Sequence, residues 1–130
     1  MAETLQPPGW RRPRGYANGV AATGRMVFVA GQIGWNENER IVAEDFAGQF
    51  RQALCNTLAV LAEGGAGPEH VARMTWFITS RTEYQAALPA LGLIWRELMG
   101  RSYPAMAVVI VAGLVEPEAK VEIETTAVVP

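Results

Sequence analysis

The stretch Arg101-Ser-Tyr-Pro-Ala-Met-Ala-Val-Val-Ile-Val-Ala-Gly-Leu114 constrains the fold more than any other part of this chain. Pro104 fixes its own φ and drives Tyr103 into an extended conformation. From Ala105 onward both alternating sets are apolar. Met106, Val108 and Ile110 share one face; Ala107, Val109 and Val111 share the other. This pattern predicts a strand buried on both faces. Such a strand needs cover from helices or from another subunit, and one of its ends is expected to line any site.

The remaining bulk properties narrow the class. A chain of 130 residues is one domain's worth and can bury a real core. Half of the residues are apolar and 18% are charged, which places the chain among globular proteins rather than disordered ones. The net charge of −2 argues against nucleic acid as a partner. The one basic cluster, Arg11, Arg12 and Arg14, reads as part of a solvated arm. A single cysteine, Cys55, cannot form an internal disulfide, and it reads as a buried structural thiol. A lone histidine, His70, without a Cys/His cluster argues against a zinc site and reads as an exposed loop residue. No apolar segment suits a secretory signal or a membrane span. The expectation is a soluble cytoplasmic protein with no membrane contact.

Residues 1–14 are rich in proline and arginine and are expected to form an irregular arm; residues 15–130 are expected to form a single domain. Gly15 to Ala22 is a short extended piece. The Thr23-Gly24 turn signal predicts that it pairs as a hairpin with the strand Arg25–Ala30. Gly31 and Gly34 suggest a bulge or a close backbone approach. A first helix is predicted over about 45–63, from an apolar stripe at Phe46, Phe50, Ala53, Leu54, Thr57, Leu58 and Leu61. Gly64-Gly65 ends it. Pro68-Glu-His70 is a short helical turn, and Val71–Thr79 a third strand. Ser80-Arg-Thr-Glu83 has capping-box spacing, so a second helix begins there and ends near Gly100. Pro89 predicts a kink or break within it. The last strand is Lys120–Val128, charged on one face and apolar on the other. The order β-β-α-β-α-β-β predicts an α+β fold, a mixed sheet with two helices on one face. The opening strand and the Met74/Trp76 face are so apolar that the uncovered side of the sheet is expected to pack on a partner subunit.

Several pieces together resemble one known family. They are Gly15-Tyr16-Ala17-Asn18, Phe28-Val29-Ala30-Gly31-Gln32-Ile33, Gln52-Ala-Leu-Cys-Asn56, Met74-Thr-Trp-Phe-Ile78, Tyr103-Pro104-Ala105 and Val121-Glu122-Ile-Glu124. In this order and spacing the chain resembles the Rid (reactive intermediate deaminase, endoribonuclease L-PSP) superfamily. The resemblance implies a chorismate-mutase-like fold and a homotrimer whose sheets form a central barrel, with a cleft between each pair of subunits. Active members hydrolyse enamines and imines to a keto acid and ammonia without metal or organic cofactor.

The resemblance also implies which residues face the cleft. The family arginine that binds the substrate carboxylate corresponds to Met106. A family serine corresponds to Ala30, a cysteine to Val108 and an asparagine to Leu88, so this member is divergent. Tyr16 and Glu122 are retained as candidate catalytic groups. Gln32, Trp76, Arg101 and Tyr103 complete the candidate substrate-binding set with Ala30, Leu88, Met106 and Val108.

Six of these candidates have a plainer reading. Tyr16 orders a water or substrate, or packs a strand edge. Glu122 polarises the attacking water, or pairs with Lys120 at the surface. Met106 lines the cleft, or belongs to the barrel core. Arg101 replaces the missing cation from the loop, or is solvated. Trp76 and Tyr103 form an aromatic wall, or pack the core.

A methionine cannot replace a two-donor guanidinium fork. The leading expectation is therefore an enamine/imine hydrolase with a less acidic substrate. A non-catalytic trimeric protein binding a small ligand is the alternative. An endoribonuclease or translation inhibitor is the third reading, weakened by the charge balance and the absence of a histidine pair.

Overall fold

The computed structural model describes residues 2–130. Six strands, two long helices and one 3-10 turn follow one another along the chain. The strands are β1 (Ala2–Leu5), β2 (Gly19–Ala22), β3 (Arg25–Gln32), β4 (Val71–Ile78), β5 (Ala105–Ile110) and β6 (Val121–Val129). Helix α1 spans Phe46–Glu63 and α2 spans Arg81–Met99, with the 3-10 turn at Pro68–His70. Four strands make a mixed sheet in the order β3-β6-β4-β5, in which only β4 and β5 run parallel. This is the expected α+β architecture.

Both helices begin as their sequences dictate. Asp45 caps α1 by accepting from the Gly48 N–H at 3.1 Å, and Ser80 caps α2 by accepting from the Glu83 N–H at 3.1 Å. Gly65 takes a φ of 73° just past α1, a conformation open to glycine at little cost. Phe50, Ala53, Leu54 and Leu61 from α1 and Leu91, Trp95 and Met99 from α2 meet Met74, Trp76, Ile78, Val121, Ile123 and Ala127 from the sheet in one core. The Met74/Trp76 face is therefore the helix-covered face. The other face carries Phe28 from β3, Arg73, Thr75 and Phe77 from β4, and Glu122 and Glu124 from β6, and Phe28 is 69% exposed.

Six expectations change. The arm is not wholly irregular: Ala2–Leu5 pairs antiparallel with Gly19–Ala22. β2 consequently pairs with the arm and not with β3. The cause is upstream, where the Ala17 N–H donates to the Pro104 carbonyl at 2.9 Å and fastens this segment to the start of β5. Helix α2 continues through Pro89 without a break. Pro89 and Gln85 are exposed, so the carbonyl that loses its donor faces water, while Leu91, Trp95 and Met99 anchor the following turns in the core. Strand β5 ends at Ile110 and is an edge strand; Val108, Val109 and Ile110 are 37%, 39% and 49% exposed instead of buried. His70 is half-buried, with Nδ1 accepting from the Gly67 N–H at 2.9 Å, and Cys55 is likewise half-buried.

Candidate functional site

The head of β5 forms the floor of the best-defined cavity. The Tyr103-Pro104 entry is held by Ala17, which forms a parallel bridge to Ala105. That bridge brings Tyr16 beside Tyr103 and Met106. Because β5 runs parallel to β4 with Met106 opposite Met74 and Val108 opposite Trp76, Met106, Val108 and Trp76 point to the same side of the sheet. Helix α2 closes that side with Leu88, Leu91 and Trp95. The cavity is open on one side, its volume is about 230 Å³, and its walls are largely apolar.

An aromatic series makes one wall rigid. Phe50 meets Trp76 edge-on at 4.8 Å, Trp76 lies 5.9 Å from Trp95, and Trp95 stacks on Tyr103 at 6.1 Å with an interplanar angle of 13°. Such pairs contribute about 0.5–1.5 kcal/mol each beyond area burial. Trp95 Nε1 donates to the Ser102 carbonyl at 3.2 Å, which ties α2 to the loop before β5. Trp76 Nε1 is buried and has no partner among the described residues, so the wall holds one unused neutral donor. Tyr84, also in the wall, packs edge-on against Phe46 at 6.0 Å, and burial pushes its hydroxyl pKa up.

Six of the ten candidates come together here: Tyr16, Trp76, Leu88, Tyr103, Met106 and Val108. Trp76 is both core and wall. Arg101 is exposed and lines an adjoining hollow, not this cavity. The cation that does stand in the wall is Arg14, from the arm read as solvated. No local pattern singles out Arg14 from Arg11 and Arg12; its position follows from the pairing of β1 with β2 and of Ala17 with Ala105.

Ala30, Gln32 and Glu122 lie elsewhere in the chain. Ala30 and Gln32 are at the β3 edge, and β3 and β5 are the two outer strands of the sheet. Three inter-strand gaps separate those edges, about 14 Å. Glu122 sits against Gly31, where a Cβ would fall 2.3 Å from its Oε2, so only glycine lets the carboxylate approach the β3 backbone this closely. The bulge there shows as a register shift between Val29 and Gln32. Glu122 does not pair with Lys120, whose ammonium binds Glu83. Among the described residues no group of three or more His, Cys, Asp or Glu side chains could hold a metal ion.

Comparison with known proteins decides the family. The model of the family described as endoribonuclease L-PSP matches residues 11–129. The chain belongs to this family. A RutC family protein from Synechocystis is 33% identical over the whole chain and 96% of its own length. A 2-iminobutanoate/2-iminopropanoate deaminase from Salmonella typhimurium is 31% identical, with 87% of this chain and 86% of that protein covered. Among solved structures, a Rid family protein of unknown function from Yersinia pestis superposes with a TM-score of 0.88 at 30% identity, covering 98% of both chains. The E. coli protein TdcF, solved with bound serine, has a TM-score of 0.72 at 31% identity, with 100% of this chain and 98% of TdcF covered. Family membership extends across both the β5 cavity and the Gly31–Glu122 corner.

Proposed function

We propose that the chain is a small-molecule enamine/imine hydrolase of the cytoplasm, working in a cleft between copies of itself in a homotrimer. The observation that carries this reading is the cavity at the head of β5, where Tyr16 meets an apolar floor in a member of the Rid family. The Salmonella relative's name supplies the reaction class. Water adds to the C=N carbon, a proton passes to nitrogen, and the C–N bond breaks to release ammonia and leave a carbonyl. One water is consumed per ammonia released. Tyr16 holds the water or the substrate at the cavity. Glu122, which sits beside Gly31 on the opposite face of the sheet, is supplied to the cavity by an adjoining copy and takes the proton of the attacking water.

Two features support assembly. The β5 edge exposes Val108, Val109 and Ile110, and the uncovered sheet face exposes Met26 and Phe28. Met106 and Val108 leave the carbon next to the reacting centre without a cationic partner, so the substrate is less acidic at that position than an amino-acid-derived imine.

The test is ammonia release from imines generated in situ, across amine-derived and amino-acid-derived sets. Faster release than buffer for amine-derived imines, reduced in Tyr16→Phe and Glu122→Gln, is the expected result. Rates equal to buffer for every imine would remove the hydrolase reading. The distance of Glu122 from the cavity within one chain favours a second reading, ligand binding without chemistry. Binding of a small aromatic or aliphatic compound with no turnover would support it.

A further inference from the structure

Two hollows adjoin at the cavity mouth and share Gly15, Tyr16 and Tyr103. The inner one is the apolar cavity, with Arg14 in its wall. The outer one is lined by Arg12 and Arg101 together with Thr4 and Gln6. Neither is lined by an aspartate or glutamate. Among the described residues Arg12, Arg14 and Arg101 enter no salt bridge.

The backbone on either side of Arg14 is tied down. Gln6 Nε2 donates to the Trp10 and Arg11 carbonyls at 3.2 and 3.3 Å, and Asn18 Nδ2 donates to Gln6 Oε1 at 2.8 Å. β1 is in register with β2 from Ala2–Ala22 to Leu5–Gly19. Downstream, Gly15 turns the chain with a φ of 78° and Ala17 is bonded to Pro104. The arm therefore holds Arg14 at the rim of a largely apolar cavity whose floor is Met106.

We propose that Arg14 is a specificity-determining residue that binds the anionic end of a ligand whose aryl or branched-alkyl body fills the cavity. This rests on the reading of the cavity as the small-molecule site. Arg12 and Arg101 add positive potential along the route of entry. A guanidinium at the mouth gives a carboxylate a charge-assisted, two-point contact. The apolar floor at Met106, Trp76 and Leu91 offers nothing to a second charge. The ligand class is thus an amphipathic monoanion, with its charge at the mouth and its apolar body inside.

Titration of the full chain with 3-phenylpropanoate, 3-phenylpropanamide and 3-phenylpropylammonium tests this. The carboxylate is expected to bind about tenfold more tightly than the amide, with the ammonium weakest. Arg14→Gln should shrink the acid–amide gap to about twofold, and high salt should narrow it in the native chain. Arg14→Lys should keep a large part of it. Equal affinity for acid and amide in the native chain overturns the proposal, as does an undiminished gap in Arg14→Gln. Binding by none of the three probes overturns it too. Arg14 is exposed, so an unchanged thermal midpoint in Arg14→Gln is the folding control. The readout is binding, so it separates the two readings. A selective but inactive protein removes the hydrolase and keeps Arg14's role, and an active one indifferent to ligand charge does the reverse.

Discussion

Strands β5 and β6 lie in the same sheet with only β4 between them, and they lead opposite lives. β6 is the more polar, with glutamates at 122 and 124, yet Val121, Ile123 and Ala127 are fully buried. β5 is all apolar, yet its last three residues are more than a third exposed. β6 has a strand on each side and α1 above it; β5 has a strand, β4, on one side only and a single bridge to Ala17 at its head. Burial follows a strand's neighbours, and apolarity marks what it is built to meet. An edge strand this apolar is a surface awaiting a partner, and a second copy of this chain is the partner proposed above.

Substitutions can break that contrast in order of size. Ile123→Ala should cost about 2–5 kcal/mol in chemical denaturation, because the centre of β6 cannot collapse around the void. Gln49→Leu should cost about 1–3 kcal/mol by the same measurement. It strands the Lys120 N–H, which Gln49 Oε1 accepts at 2.8 Å, and the Ala43 and Glu118 carbonyls, each bonded to Gln49 Nε2 at 3.0 Å. Val109→Asp should change the stability of the isolated chain by about 0.5 kcal/mol or less. Light scattering should nevertheless show its self-association lost; a native-sized particle would mean that β5 is not the contact.

The smallest effect is a pH dependence at the cavity wall. Burial raises the Tyr84 pKa above its ordinary 10.0, so near and above that pH the folded chain holds a proton that the unfolded chain releases. The stability from this group is present below pH 10 and is lost as pH rises through the folded value. Alkaline melting curves of Tyr84→Phe should fall less steeply than those of the native chain.

Much of the scaffold was legible in local pattern. The α1 stripe, the Asp45 and Ser80 caps and the alternation of β4 and β6 each depend on residues a few positions apart, and local sterics settle them. Gly31 and Gly34 were readable as close approaches, and a Cβ on Gly34 would meet the Gln49 backbone at 2.7 Å. Gln49 is inconspicuous within an apolar stripe, because two of its partners lie 69 and 71 residues away. Of the site, the Tyr16, Tyr103 and Met106 grouping could be named through family likeness. Its cation could not, since one arginine in a run of three is distinguished only by what packs beside it.

The sequence by itself determined the order of elements from β2 onward, where the helices start and stop, and the absence of a guanidinium at position 106. Tertiary structure decided the rest: that β2 pairs with the arm, that β5 is an edge, that Glu122 and Met106 lie on opposite faces of the sheet with β4 between their strands, and that Arg14 lines the cavity. These depend on contacts between distant segments, whose free energy comes from removing particular surfaces from water together, and no local pattern encodes which surfaces will meet.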